Sequence, residues 1–212
     1  MRLFDEFKAE HLLVDRVAGS LIRFAEITAG GESSEEDVAD FVEFFRVFVA
    51  GYHHEREEQT LFPVLVERAE VPADRGPLPS IAADHRAAAI LVDELEEAGG
   101  NQERLVSAAR RLAHHLWEHV DKEDSVLFPE SSQRLRRNGV TRLEGRESTA
   151  EEEAARGLGE QLTVRFPPLD DPEVVRGDGC IACSAFGETC GGIETEWWNT
   201  WEHEYHRSLD EG

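Results

Sequence analysis

Residues 53–63 read His53-His54-Glu55-Arg56-Glu57-Glu58-Gln59-Thr60-Leu61-Phe62-Pro63, and residues 119–129 read His119-Val120-Asp121-Lys122-Glu123-Asp124-Ser125-Val126-Leu127-Phe128-Pro129. Aligning the two Leu-Phe-Pro ends sets His53 over His119 and Glu57 over Glu123. Each copy therefore offers His-x-x-x-Glu. Residues four apart share one helix face, so an imidazole and a carboxylate one turn apart can reach the same point on a bundle axis. One copy on an exposed helix is ordinarily a solvated pair; two copies with the same ending are an internal repeat. The Leu and Phe suit core positions. The Pro is expected to end or kink each helix just past the pair.

Working outward, four helical segments occupy roughly residues 2–138. The first runs from about Arg2 to Thr28, ahead of Gly30-Gly31. The second follows Ser33-Ser34, with Glu35, Glu36 and Asp37 placed to complement the helix dipole. Phe41, Phe44, Phe45, Phe48, Val49 and Tyr52 recur at three and four, which is helical periodicity. Residues 71–79 hold three Pro and a Gly and read as a loop. A third helix is expected from near Pro79-Ser80 to Glu97, and a fourth from near Asn101 to Arg137, closed by Asn138-Gly139. Short connections between long helices favour an antiparallel up-down-up-down four-helix bundle, an all-α fold. The chain divides into this bundle (1–140), an acidic, Pro-containing linker with at most one short helix (141–176), and a Cys/Trp-rich C-terminal extension (177–212).

Each half of the repeat also has an earlier helix with a lone His, in Glu10-His11 and Asp84-His85. Four imidazoles and two carboxylates suit an iron pair, because imidazole binds iron and a carboxylate can bridge two metals. His11 and His53 would hold one iron and His85 and His119 the other, with Glu57 and Glu123 bridging. Octahedral iron would leave room for an oxo or hydroxo bridge and a small exogenous ligand. A second pair, His54 and Glu58, is rotated by one residue. The repeat favours His53 and Glu57, since Val120 stands where His54 aligns. His115, one turn before His119, could add an imidazole or a supporting hydrogen bond. His114 is rotated off that face. Tyr52 and Trp117 read as packing residues.

The order and spacing of Glu10-His11, the His53-to-Pro63 motif, Asp84-His85 and the His119-to-Pro129 motif resemble the hemerythrin family, specifically bacterial HHE cation-binding domains. The resemblance covers roughly residues 1–138 and implies a non-haem di-iron centre on His11, His53, Glu57, His85, His119 and Glu123. Oxygen carriers of that family use five His, including a pair four apart on the third helix. Here Ile81 stands four before His85. The chain therefore looks more like the four-His, two-Glu members, among them iron-centre repair proteins. That implies a more open iron, suited to nitric oxide, peroxide or iron exchange.

Composition bounds the rest. A formal net charge of −23 repels nucleic acid and anionic membranes, and no stretch of 18 apolar residues is present. Three Cys, all between 180 and 190, suit a reducing cytoplasm better than a disulfide framework. Cys180, Cys183 and Cys190 with His203 have the spacing of a structural zinc site. A redox pair, an iron-sulfur cluster or plain packing remain alternatives there. The expected function is binding, sensing or handling of O2, NO, peroxide or iron. The alternative is an enzyme (an NO or peroxide reductase, or a ferroxidase) or an iron donor for repair.

Overall fold

A computed structural model describes residues 1–28, 35–98 and 100–169; Cys180, Cys183, Cys190 and His203 lie outside the described residues. Five helices and no strand are found among those residues. They are α1 (Arg2–Thr28), α2 (35–69), α3 (Pro77–Glu97), α4 (102–137) and α5 (Ala150–Arg165). None is long and apolar enough to cross a membrane.

The first four helices form the expected bundle, and side-chain pairs fix the directions as antiparallel. Early α1 meets late α2 through Glu6 and Arg56, while late α1 meets early α2 through Phe24 and Phe41. Glu94 near the end of α3 reaches Arg111 early in α4, and Asp84 reaches Lys122 later in α4. Trp117 of α4 donates to the Asp15 carbonyl of α1.

Helix ends follow the local chemistry. Asn101 caps α4 by accepting from the Arg104 N–H. Gly139, at φ 77°, closes it: its N–H donates to the Arg136 carbonyl, and the Val140 N–H to the Leu135 carbonyl. Val140 and Leu135 share one apolar cluster, which completes a Schellman stop. Helix α3 begins at Pro77, earlier than expected, because Pro is tolerated in a first turn whose N–H groups are unpaired anyway.

Neither Pro63 nor Pro129 ends its helix. Each follows a wide π turn, Glu57–Leu61 and Glu123–Leu127, in which the Phe62 N–H donates to the Glu57 carbonyl and the Phe128 N–H to the Glu123 carbonyl. A Pro ring would clash with the carbonyl four residues back; one extra residue per turn absorbs that conflict. Both repeat carboxylates thus open a widened turn.

Residues read as a linker contain a sixteen-residue helix, α5, started by a capping box between Thr149 and Glu152. It packs on α1 and α2, burying Ala155 and Leu162 in the main core. Its Gly159 is required for that approach, because a Cβ there would stand 2.4 Å from the Phe44 ring.

The core is split. One apolar cluster includes Val14, Phe45, Val49, Ala88 and Leu116; a second includes Phe4, Phe7, Leu61, Ile81, Leu127 and Phe128. Between them, in each of the first four helices, sits a buried His: His11, His53, His85 and His119.

Candidate metal centre

All six residues singled out by the repeat and its lone His partners converge between the two apolar clusters. His11, His53, Glu57 and Glu123 form one group whose ligand atoms lie within 4.8 Å of one another. Glu57, His85, His119 and Glu123 form a second such group. The two carboxylates belong to both. His11 Nε2 lies 3.1 Å and His119 Nε2 3.4 Å from the same Glu123 oxygen. Glu57 sets one oxygen 3.7 Å from His53 Nε2 and the other 3.3 Å from His85 Nε2.

The donor set fits cations. Both carboxylates are 0% exposed, and none of their four oxygens has a hydrogen-bond partner among the described residues. Burying ionised carboxylates in that state is costly unless a cation completes the site. His11 Nε2 and His53 Nε2 also face each other at 3.0 Å. With both Nδ1 atoms turned to carboxylates, that contact requires either a second proton on one ring, which makes it an imidazolium that donates to the other, or a cation between the two nitrogens.

Behind the imidazoles stands a second set of acids. His53 Nδ1 donates to Glu10 at 2.7 Å, and His85 Nδ1 donates to Glu58 at 2.7 Å. Asp124 lies 3.1 Å from His11 Nδ1, and Asp84 3.8 Å from His119 Nδ1. The two hydrogen-bonded acids fix the tautomers of His53 and His85 and aim their Nε2 atoms inward, while Asp124 and Asp84 lie beside the other two rings as charge neighbours. The arrangement is crossed. The acid before each lone His serves the His of the following repeat helix, and the acid after each buried Glu serves a lone His. The signal was present as Glu10-His11 against Asp84-His85 and Glu57-Glu58 against Glu123-Asp124, but spacing alone did not assign these roles. Arg56, 1% exposed, is held by Glu6 at 2.7 Å and Glu10 at 2.6 Å, with the Tyr52 and Phe7 rings beside it.

The rotated pair is divided by the fold. Glu58 supports His85, whereas His54 is buried and joins His85 and His119 in a third cluster within 4.8 Å. His115 belongs to no cluster: its Nε2 donates to the Asp84 carbonyl at 2.8 Å, bracing the residue before His85. Ile81 packs in the second apolar cluster.

Metal-free, the cluster has opposed titrations. Burial disfavours charged His11, yet Asp124 and Glu123 outweigh it and raise its pKa from 6.5 to about 10. Burial likewise opposes charged His85, but Glu57 and Glu58 raise it to about 10. Burial lowers His119 to about 4 and pushes His53 and His54 well below 6.5. His11 and His85 therefore bind protons more tightly folded; their contribution is full below pH 6.5 and lost as pH rises towards about 10. His53, His54 and His119 bind protons more weakly folded; their contribution is lost as pH falls from 6.5 towards about 4. Denaturant melts of metal-free protein are expected to show greatest stability near pH ~6.5, declining on both sides. A monotonic profile from about pH 5 to 9 would contradict this.

The chain matches the family model described as Hemerythrin HHE cation binding domain over residues 2–131. Among curated proteins and among solved structures, nothing matches it.

Proposed function

Because the chain belongs to the hemerythrin HHE cation-binding family, and is in that sense a metal-binding protein, we propose that it carries a non-haem pair of iron ions at which a small ligand such as O2, NO or peroxide is bound or sensed. His11 and His53 hold one ion and His85 and His119 the other, with Glu57 and Glu123 shared between them. One observation carries this reading: two separate imidazole pairs converge on the same two buried, unpartnered carboxylates. A single ion would have no use for two such groups.

Bound iron would supply Lewis acidity and one-electron redox chemistry. The protein's own part is different. Glu10, Glu58, Asp84 and Asp124 face the Nδ1 side of the four imidazoles, so that each Nε2 is presented bare. The apolar clusters above and below keep the site dry and strengthen every electrostatic contact inside it. The acidic surface charge and clustered Cys favour a cytoplasmic setting.

Azide titration of iron-loaded protein tests the ligand-binding role. A saturable new charge-transfer band, absent in Glu57→Ala, is expected; no spectral response to azide or NO would contradict it. An enzymatic reading, in which NO or peroxide is reduced or ferrous iron oxidised, requires turnover that Glu57→Ala abolishes.

A further inference from the structure

The two halves of the repeat cover their lone His residues differently. In both, the repeat Phe lies nearly parallel to the lone His ring. Phe128 lies against His11, with centroids 5.4 Å apart and planes at 11°, and Phe62 against His85, at 6.3 Å and 14°. Both acids on the Nδ1 side reach solvent, Asp124 at 36% exposure and Glu58 at 44%. What differs is the packing over each Phe. Phe4 and Phe7, seven and four residues before His11, pack on Phe128 and leave it 1% exposed. Seven and four residues before His85 stand Leu78 and Ile81, which are smaller, and Phe62 is only partly buried.

On that less covered side an open cleft of about 440 Å³ lies between the end of α2 and the start of α3, lined by Glu58, Phe62, Val66, Leu78 and Ala82 among others. Its inner wall touches the candidate centre: Glu58 accepts from His85 Nδ1, and Phe62 faces the His85 ring. His85 is also the most exposed of the four imidazoles, at 6%. A buried metal site needs an entry path. A cation that keeps part of its water in an open cleft avoids the desolvation cost of crossing sealed aromatic packing. Glu58 offers it a first protein carboxylate, one residue from Glu57.

We infer that metal enters and leaves through this cleft, past Phe62 and Glu58, so that the ion on the His85–His119 side is the exchangeable one and the ion behind Phe128 is held back. This rests on the two-ion reading above.

The experiment is the time course of iron release to a ferrous chelator under reducing conditions, from fully loaded wild-type and Ala82→Trp protein. Wild type is expected to release one iron per chain in a fast phase and one in a slow phase. Ala82→Trp, which fills the cleft, is expected to slow the fast phase by about 10-fold while iron content stays the same. Phe62→Ala is expected to quicken it. His11→Ala, loaded with its one remaining ion, assigns the phases, because that ion should leave at the fast rate. A single phase in wild type, release from Ala82→Trp at the wild-type rate, or slow release from His11→Ala would each overturn the inference. If Ala82→Trp does not fold, Val66→Trp fills the cleft from the α2 side and the same comparison decides. A wild-type protein that never holds two irons would instead overturn the two-ion reading, and this inference with it.

Discussion

Glu57→Ala is expected to abolish loading of both metal ions, and Glu123→Ala to do the same, whereas His11→Ala is expected to lose only one. The asymmetry follows from sharing. Each carboxylate contacts both imidazole pairs, while each His faces one side. Metal analysis should therefore read close to zero ions per chain for either Glu variant and about one for the His variant. Changing a supporting acid should be milder: Glu58→Gln is expected to weaken loading on the His85 side by about 10- to 100-fold. Metal-free Glu57→Ala should be less stable than metal-free wild type below about pH 6.5, because it removes a carboxylate that holds the charged form of His85. A Glu variant that retained both ions would break the shared-carboxylate account. One that unfolded without metal would show Glu57 to be structural.

Arg56→Ala should have the largest effect on stability. The guanidinium is buried, paired with two carboxylates and flanked by aromatic rings, so its loss strands Glu10 and opens a void. Removing one partner of a buried pair costs about 3–5 kcal/mol. For a domain of this size that corresponds to roughly 10 °C in melting temperature. Glu10 also holds His53, so affinity on the His11–His53 side should fall with stability. Arg56→Lys should recover part of the loss, since it keeps the charge but not the fork that reaches both acids. A melting shift under about 2 °C for Arg56→Ala would mean the pair contributes little beyond its own desolvation cost.

The candidate centre is legible in the repeat because its two copies carry ligand-type residues at helical spacing, and the lone His residues fall in the other two bundle helices. The four helices were legible for a related reason: their caps and apolar periodicity agree, and Asn138-Gly139 stops α4 where expected. What escaped was tertiary. Pro63 and Pro129 signal a break, yet a π turn absorbs each one within a continuous helix. Helix α5 reads as linker because Gly157 and Gly159 lower its helical signal; Gly159 is there to let α5 meet Phe44. The crossed support of His by acids from other helices depends on which helices are neighbours, which no local spacing encodes. Val120 breaks the repeat at the His54 position and favours the His53 register, and the fold makes His54 a buried imidazole beside His85 and His119.

The six residues are proposed to hold a coupled iron pair through four imidazoles and two shared carboxylates. Iron analysis with Mössbauer spectroscopy of protein expressed with 57Fe tests it most directly. The expected result is two irons per chain, antiferromagnetically coupled in the ferric state. One isolated iron per chain, or none with all six residues intact, would contradict it.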